Sequence, residues 1–131
     1  MEKEIKRAEE IIAKYPDQFD IKELFKLADE LAVIYSGMLV LKGNAQSEYI
    51  EADNTYKKKF RNYTHSKGCK NIDQAKALAN HERDERNEAH KLYLELEAIC
   101  SSYKVILDRM QQRIAQQRKE WELNKFQTTN Q

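Results

Sequence analysis

Six lysines and arginines and three aromatic residues lie in the sixteen residues from Thr55 to Lys70, a stretch that contains no acid. Lysine and arginine bind phosphates and aromatic rings stack on unpaired bases, so this mixture is typical of a surface that binds single-stranded DNA or RNA. Binding through phosphates predicts an affinity that falls steeply with salt. The residues expected to make these contacts are Lys57, Lys58, Lys59, Arg61, Tyr63, Lys67 and Lys70.

Two other interpretations of this basic stretch stay open. If the chain folds back on itself, the cations pair with acids of the following helix and the stretch is only a solvated surface. Tyr56 and Phe60 also have the spacing of residues that pack between helices, whereas Tyr63 lies next to a turn and suits stacking. The acids concerned are Glu82, Asp84, Glu85 and Glu88.

A second basic run lies near the C-terminal end of the sequence. It is either a solvated helix end, where cations interact favourably with the helix dipole, or a basic stripe. Trp121 and Phe126 follow in the same region, and they either pack against the first helix or contact a partner subunit. The basic residues are Lys104, Arg109, Arg113, Arg118, Lys119 and Lys125.

No motif in the sequence predicts catalysis. His81-Glu82 resembles the start of a zinc-protease motif, but Glu85 stands where the second histidine belongs. The three histidines and two cysteines lack metal-ligand spacing, and there is neither a phosphate-binding glycine loop nor a nucleophile elbow. We therefore expect a protein that is not an enzyme and that uses no cofactor.

The composition predicts an all-α chain with one domain over residues 1–131. Charged residues make up 34% of it, and three glycines and one proline leave few turns. No apolar stretch approaches the roughly 20 residues that span a membrane, and two dissimilar cysteines indicate a reducing compartment. These features predict a cytoplasmic protein, in the host cytoplasm if a phage encodes it, with no membrane partner.

The helices are expected to form a long antiparallel hairpin, or coiled coil, preceded by a short helix. Pro16 ends the first helix, and Asp20 caps the second, with Phe19 packing on Leu24 as a hydrophobic staple. Gly68 and Asn71 provide the turn. The predicted elements are a helix over 2–14, a helix over 20–66, a turn at 67–71, a helix over 72–126 and a flexible tail at 127–131.

Each long helix carries a heptad seam, which is the apolar stripe that packs against another helix. Because the same seam serves pairing within one chain or between chains, a homo-oligomer is also expected. Gly37 and Gly43 within the second helix suggest a close helix contact or a kink, and the charged run 81–88 predicts a wet distal half. The seam residues are Leu24, Leu27, Leu31, Ile34, Met38 and Leu41 in one helix, and Leu92, Leu96, Ile99, Tyr103, Ile106 and Met110 in the other.

The order of these features resembles the UvsY-type recombination mediators of tailed phages. A Leu/Ala/Tyr-rich helix is followed by a Lys/Arg-dense segment that ends at Tyr63, by a turn containing Gly68, and by a Leu/Tyr-rich helix with a basic end. The resemblance covers about residues 20–125. The chain departs from the pattern in its first helix and in its Gln-rich tail.

That resemblance implies an oligomer that binds single-stranded DNA and helps to load a recombinase by displacing a single-strand-binding protein. The residues that match the family's basic segment are Lys57, Lys58, Lys59 and Arg61. The competing hypothesis is a protein-interaction module, such as a phage-encoded inhibitor of a host nuclease or defence complex, or a structural coiled-coil adaptor.

Overall fold

The structure of the chain is a computed structural model that describes residues 1–65 and 71–129, with side chains up to Lys125 in the second range. Over these residues it contains helices and no strand, which confirms the all-α fold class. In the described part no helix is long and apolar enough to cross a membrane. The elements are α1 (Glu2–Lys14), a short 3-10 helix (Tyr15–Asp17), α2 (Ile21–Thr64), α3 (Ile72–Leu78) and α4 (Asn80–Thr129).

Long helices α2 and α4 pack against each other in antiparallel order, as the hairpin prediction requires. Between residues 39 and 99, the ring of Tyr49 stacks on that of His90 with the centroids 4.5 Å apart, and Lys59 approaches Glu82 at 4.0 Å. Residue numbers therefore rise along one helix as they fall along the other. This order places the basic end of α2 beside the start of α4.

The loop before α2 contains the residues of the predicted cap and staple. The backbone N–H of Lys22 donates to Asp20 Oδ1 at 3.0 Å, so Asp20 caps the helix as expected. Leu24 is fully buried, whereas the Phe19 residue is 78% exposed and can therefore cover little of it. The guanidinium of Arg113 lies 5.3 Å from the centre of the Phe19 ring. The ring thus faces mostly solvent and a cation of α4, and the staple stays a prediction.

The helix predicted over 72–126 is interrupted at Ala79, where ψ is 14° instead of a helical value. Ala75 and Ala79 lie one turn apart and both are fully buried. The break in the helix therefore falls at a buried residue. Alanine is the strongest helix former, and local propensity therefore gives no signal for it. Before the break, Asn71 caps α3 as predicted, accepting the Gln74 N–H at 2.8 Å.

The predicted end of the last helix and the predicted turn at 67–71 lie at the limits of the described ranges. The helix predicted to end at 126 continues as α4 to Thr129. Propensity explains this, since nothing in the sequence near Phe126 breaks a helix. Residues 66–70, which hold the end of the predicted second helix and most of the turn, lie outside the described residues, as do 130–131.

The chain divides into two compact units. We call Met1–Met38 together with Cys100–Gln131 the terminal unit, and Leu39–Ile99 the central unit. The terminal unit contains the dry core, and the fully buried side chains with the largest volumes all belong to it: Ile11, Leu24, Leu31, Met38 and Met110. In the central unit the buried residues within its described ranges are Ala45, Ala75, Ala79 and Leu96.

The seam of α4 is shifted from the predicted one at alternate positions. Leu96, Tyr103 and Met110 are buried as expected, but Leu92 is 38% exposed, and Ile99 and Ile106 are only half-buried. Counted from Leu96, the buried positions are spaced four and then three residues apart, whereas the predicted positions are spaced three and then four residues apart. Buried positions therefore lie one residue later than predicted at Cys100 and Leu107, and Tyr93 is half-buried where Leu92 is exposed.

The α2 seam agrees with the prediction up to Met38 and departs from it at Leu41. Leu24, Leu27, Leu31, Ile34 and Met38 are buried, whereas Leu41 is exposed and Lys42 is half-buried. A step of four from Met38 to Lys42 changes the phase of the seam. Gly37 and Gly43 flank this step, and a Cβ built on either one meets no atom within 4 Å. The expected close helix contact at these glycines is therefore absent from the described residues.

Candidate nucleic-acid interface

Two of the predicted phosphate-binding lysines make ion pairs within the chain. Lys57 Nζ lies 2.8 Å from Asp53 Oδ2, one turn earlier on α2. Lys59 Nζ is 4.0 Å from Glu82 Oε1 of α4, at the limit of an ion pair. Both lysines are about half-exposed or more, so these contacts leave their charges in water and contribute little to stability. The solvated-surface interpretation thus applies in part to these two residues.

The other acids proposed as partners are engaged elsewhere or stay exposed. Glu85 pairs with His81 at 2.8 Å, and Asp84 lies 3.7 Å from Arg83. Both contacts stay within α4. Cross-hairpin neutralisation of the basic stretch is therefore limited, among the described residues, to the long contact between Lys59 and Glu82.

Lys58 and Arg61 have a different environment. Both side chains are exposed, and neither makes an ion pair with any residue in the described ranges. They are three residues apart, which places them on one face of α2. Asn54 and His65 continue that face at spacings of four, and both are exposed as well. Two uncompensated cations on an otherwise polar helix face can contact successive phosphates of a flexible strand.

The aromatic residues near these cations lie mostly between the helices. Tyr56 and Phe60 are half-buried with ring centroids 6.1 Å apart, and the Arg86 guanidinium lies 4.3 Å above the Tyr56 ring. Tyr63, in the last turn of α2, is also half-buried. Tyr56 and Phe60 therefore pack in the seam, which was one of the two roles open to them, and Tyr63 is the ring nearest the end of α2.

A layer of charged residues holds α2 and α4 together beneath this surface. Arg86 Nη1 lies 3.8 Å from Asp53 Oδ1, and Asp53 also forms an ion pair with Lys57. Glu82 is 14% exposed, and its Oε2 is buried without a hydrogen-bond partner among the described residues. An ion in this position costs desolvation energy, so the layer contributes less to stability than apolar packing would. The charged run 81–88 in the sequence predicted such a wet layer.

The second basic run divides into structural and exposed cations. The Arg113 guanidinium donates to the backbone carbonyls of Tyr15 and Gln18, and the Arg118 guanidinium lies 4.7 Å from the centre of the Phe25 ring. These two arginines therefore organise the terminal unit. Arg113 is half-buried, whereas the other cations of the run are exposed: Lys104, Arg109, Arg118, Lys119 and Lys125.

Trp121 is 63% exposed, so most of its surface is left uncovered. Both roles considered for it, attachment of the first helix and contact with a partner subunit, stay predictions. The side chain of Phe126 lies outside the described residues, and so do Lys67 and Lys70 of the basic stretch.

No group of three or more metal-ligating side chains occurs in the ranges that the structure describes. No family model, curated protein or solved structure matches the chain. The class of the protein is therefore given by its fold alone, which is an all-α antiparallel hairpin with a short N-terminal helix.

Proposed function

We propose that this chain is a non-catalytic protein that binds single-stranded nucleic acid through the basic end of α2. The observation that carries the proposal is the pair of exposed, unpaired cations Lys58 and Arg61 on one helix face. Lys57 and Lys59 are the sequence neighbours of Lys58, and their weak surface contacts would yield to phosphate at little cost.

The proposed contact is mainly electrostatic. Because Tyr56 and Phe60 lie in the seam, Tyr63 is the ring available for stacking from the basic stretch, and phosphates supply most of the affinity. Neutralising two to four phosphates on a single strand gives a slope of roughly −1.5 to −3 in a plot of log affinity against log salt. Sequence preference should be weak, since phosphates carry no sequence information.

The test is fluorescence anisotropy of a labelled single-stranded oligonucleotide over a salt series. We expect Lys58→Glu with Arg61→Glu to weaken binding at least about tenfold and to reduce the salt slope. This double variant is preferable to changing Lys57 or Lys59, because those residues contact Asp53 and Glu82 and their reversal would disturb the charged layer.

The matched control is Lys104→Glu with Arg109→Glu, which makes the same charge change on exposed residues of α4. Equal losses in the two double variants would mean that binding follows net charge alone and would contradict a site on α2. No binding of the wild-type protein at low salt would reject the proposal.

The more specific form of the proposal is a recombination mediator that works in the cytoplasm with a recombinase and a single-strand-binding protein. Its support is the order of sequence features that resembles the UvsY type, together with the all-α hairpin fold. If it holds, the protein speeds recombinase loading on DNA coated with single-strand-binding protein, and the Lys58/Arg61 double variant does not.

We also propose that the protein forms a homo-oligomer. Exposed aliphatic side chains on both long helices support this, since each is well outside the seam: Val33, Val40, Ile50, Leu94 and Val105. Sedimentation equilibrium of the wild-type protein tests it, and a monomer throughout the micromolar range would contradict it.

A further inference from the structure

The terminal unit contains an open groove of about 750 Å³ between the start of α2 and the last turns of α4. We call it the aromatic groove. Its apolar surface comes from three side chains, of which Phe19 is 78% and Trp121 is 63% exposed. The residues that define it are Phe19, Asp20, Ile21, Glu120, Trp121 and Glu122. A volume of this size accommodates two or three side chains of a partner.

Its walls carry an excess of negative charge. Asp20, Glu120 and Glu122 are acidic, and Arg118 is the cation among the lining residues, which leaves a net charge of −2. Arg118 is engaged with the Phe25 ring at 4.7 Å. Glu120 and Glu122 are exposed and make no ion pair within the described part of the chain. The groove therefore combines unpaired carboxylates with largely exposed aromatic residues.

The rings themselves interact with cations. Arg113 lies over Phe19 at 5.3 Å, and Lys125 lies over Trp121 at 5.1 Å. The electron-rich face of an aromatic ring attracts ammonium and guanidinium groups, and tryptophan does so most strongly. Carboxylates and ring faces thus favour the same sign of charge. The same carboxylates repel the phosphates of a nucleic acid.

We propose that the aromatic groove binds a cationic amphipathic segment of another protein, in which lysine or arginine stands beside an apolar side chain. The apolar side chain packs between Phe19, Ile21 and Trp121, and the cation contacts Glu120 or Glu122. In helix-in-groove recognition, an amphipathic helix lays its apolar face into a hydrophobic groove. This site is separate from the proposed nucleic-acid site, which lies in the central unit.

Trp121 provides the reporter, because it is the single tryptophan of the chain. The probe is a helical peptide with leucine and lysine on one face, added to the full-length protein. Burial of Trp121 by the peptide shifts its emission to shorter wavelength, in a saturable titration. In parallel, anisotropy of the labelled peptide gives the affinity independently of tryptophan.

Three comparisons decide the proposal. Glu120→Gln with Glu122→Gln should weaken peptide binding about tenfold, whereas Glu88→Gln with Asp108→Asn, an equal charge change at exposed acids outside the groove, should leave it unchanged. A lysine-serine peptide and a glutamate-leucine peptide should each bind at least about tenfold more weakly, because each lacks one half of the recognition. All four residues are exposed, and circular dichroism verifies the fold of each variant.

Four results would overturn the proposal. One is the absence of a Trp121 shift with the leucine-lysine peptide, and another is equal binding of the lysine-serine peptide, which would indicate charge alone. If the emission wavelength of Trp121 shifted with protein concentration in the absence of peptide, the occupant of the groove would be a second copy of the protein. A shift on adding single-stranded oligonucleotide would identify nucleic acid. Failure of the α2 proposal affects none of these results, since its readout and residues are different.

Discussion

Arg7 and Glu30 form the most specific polar contact between two helices in the terminal unit. Arg7 Nε donates to Glu30 Oε1 at 2.5 Å and Nη2 donates to Oε2 at 2.8 Å, so the guanidinium and the carboxylate meet as two forks. Hydrogen bonding from Arg7 holds the pKa of Glu30 below its ordinary value of 4.5. The same contact raises the pKa of Arg7.

This pair predicts a pH-dependent effect of Glu30→Gln on stability. Because the pKa of Glu30 is lowered in the folded protein, its contribution is complete above about pH 4.5 and is lost as the pH falls below that value through the folded pKa. Chemical denaturation should show Glu30→Gln less stable than wild type at pH 7, with the difference shrinking in acid. Asp29→Asn, at an exposed acid that makes no ion pair with Arg7, is the control and should show no such difference. A pH-independent loss would contradict the ion pair.

The sequence identified the residue types of the interface but not their individual environments. The density of lysine around Tyr56 indicated a basic surface, and helical spacing alone put Lys58 and Arg61 on one face. The Lys57–Asp53 pair lies within α2 at a spacing of four residues, whereas the contact of Lys59 with Glu82 crosses the hairpin and depends on the register of the two helices. The aromatic groove had no sequence signal beyond an apolar Trp121, because its walls come from segments about one hundred residues apart.

At the scale of elements, the two glycines of α2 make a prediction about helix propensity. Neither has a positive φ, and a Cβ at either position meets no atom within 4 Å. We therefore expect Gly37→Ala and Gly43→Ala each to stabilise the protein by about 0.5–1 kcal/mol, since alanine restricts the unfolded chain and suits the helix. Thermal and denaturant unfolding measure this change. Destabilisation would mean that another molecule covers this face of α2.

A pair of leucines on α4 tests the register of its seam. Leu96 is 3% exposed and Leu92 is 38% exposed, although both belong to the predicted seam. We expect Leu96→Ala to cost about 2–4 kcal/mol of unfolding free energy and Leu92→Ala about 1 kcal/mol or less, because truncation of a buried side chain also leaves a cavity. Equal costs measured by denaturant titration would support the predicted register instead.

The reason for the register error is physical. A stripe of large aliphatic residues at Leu92, Ile99 and Ile106 and a stripe through Tyr93, Cys100 and Leu107 differ by one position and share the residues between them. Hydrophobicity favours the first stripe. The packed stripe depends on which face α2 presents, and a single-helix pattern does not contain that information. The ends of α1 and the caps at Asp20 and Asn71 are local features, so the sequence predicted them well.

At the scale of the whole molecule, the two units differ in how much apolar side chain they bury. The large buried residues belong to the terminal unit, whereas the central unit, in its described ranges, buries three alanines and Leu96 and contains the charged layer. Burial of apolar area is the main source of stability. Local opening should therefore be easier in the central unit.

Hydrogen exchange measures this difference directly. We expect backbone amides of 45–63 and 80–95 to exchange on the order of tenfold or more faster than those of 24–38 and 103–114, after correction for intrinsic rates. The buried alanines and Leu96 should mark the slowest positions of the central unit. Uniform protection along α2 and α4 would show that the hairpin opens as one cooperative body.

The two backbone contacts of Arg113 also bear on the order in which a nascent chain can acquire structure. They join residues separated by 95 and 98 positions, and the terminal unit as a whole draws on both ends of the described chain. Contacts of such long range form late. During synthesis, α1 and the first half of α2 leave the ribosome well before the segment around Arg113. Their apolar stripes must therefore wait, exposed or covered by a chaperone, until α4 has been translated.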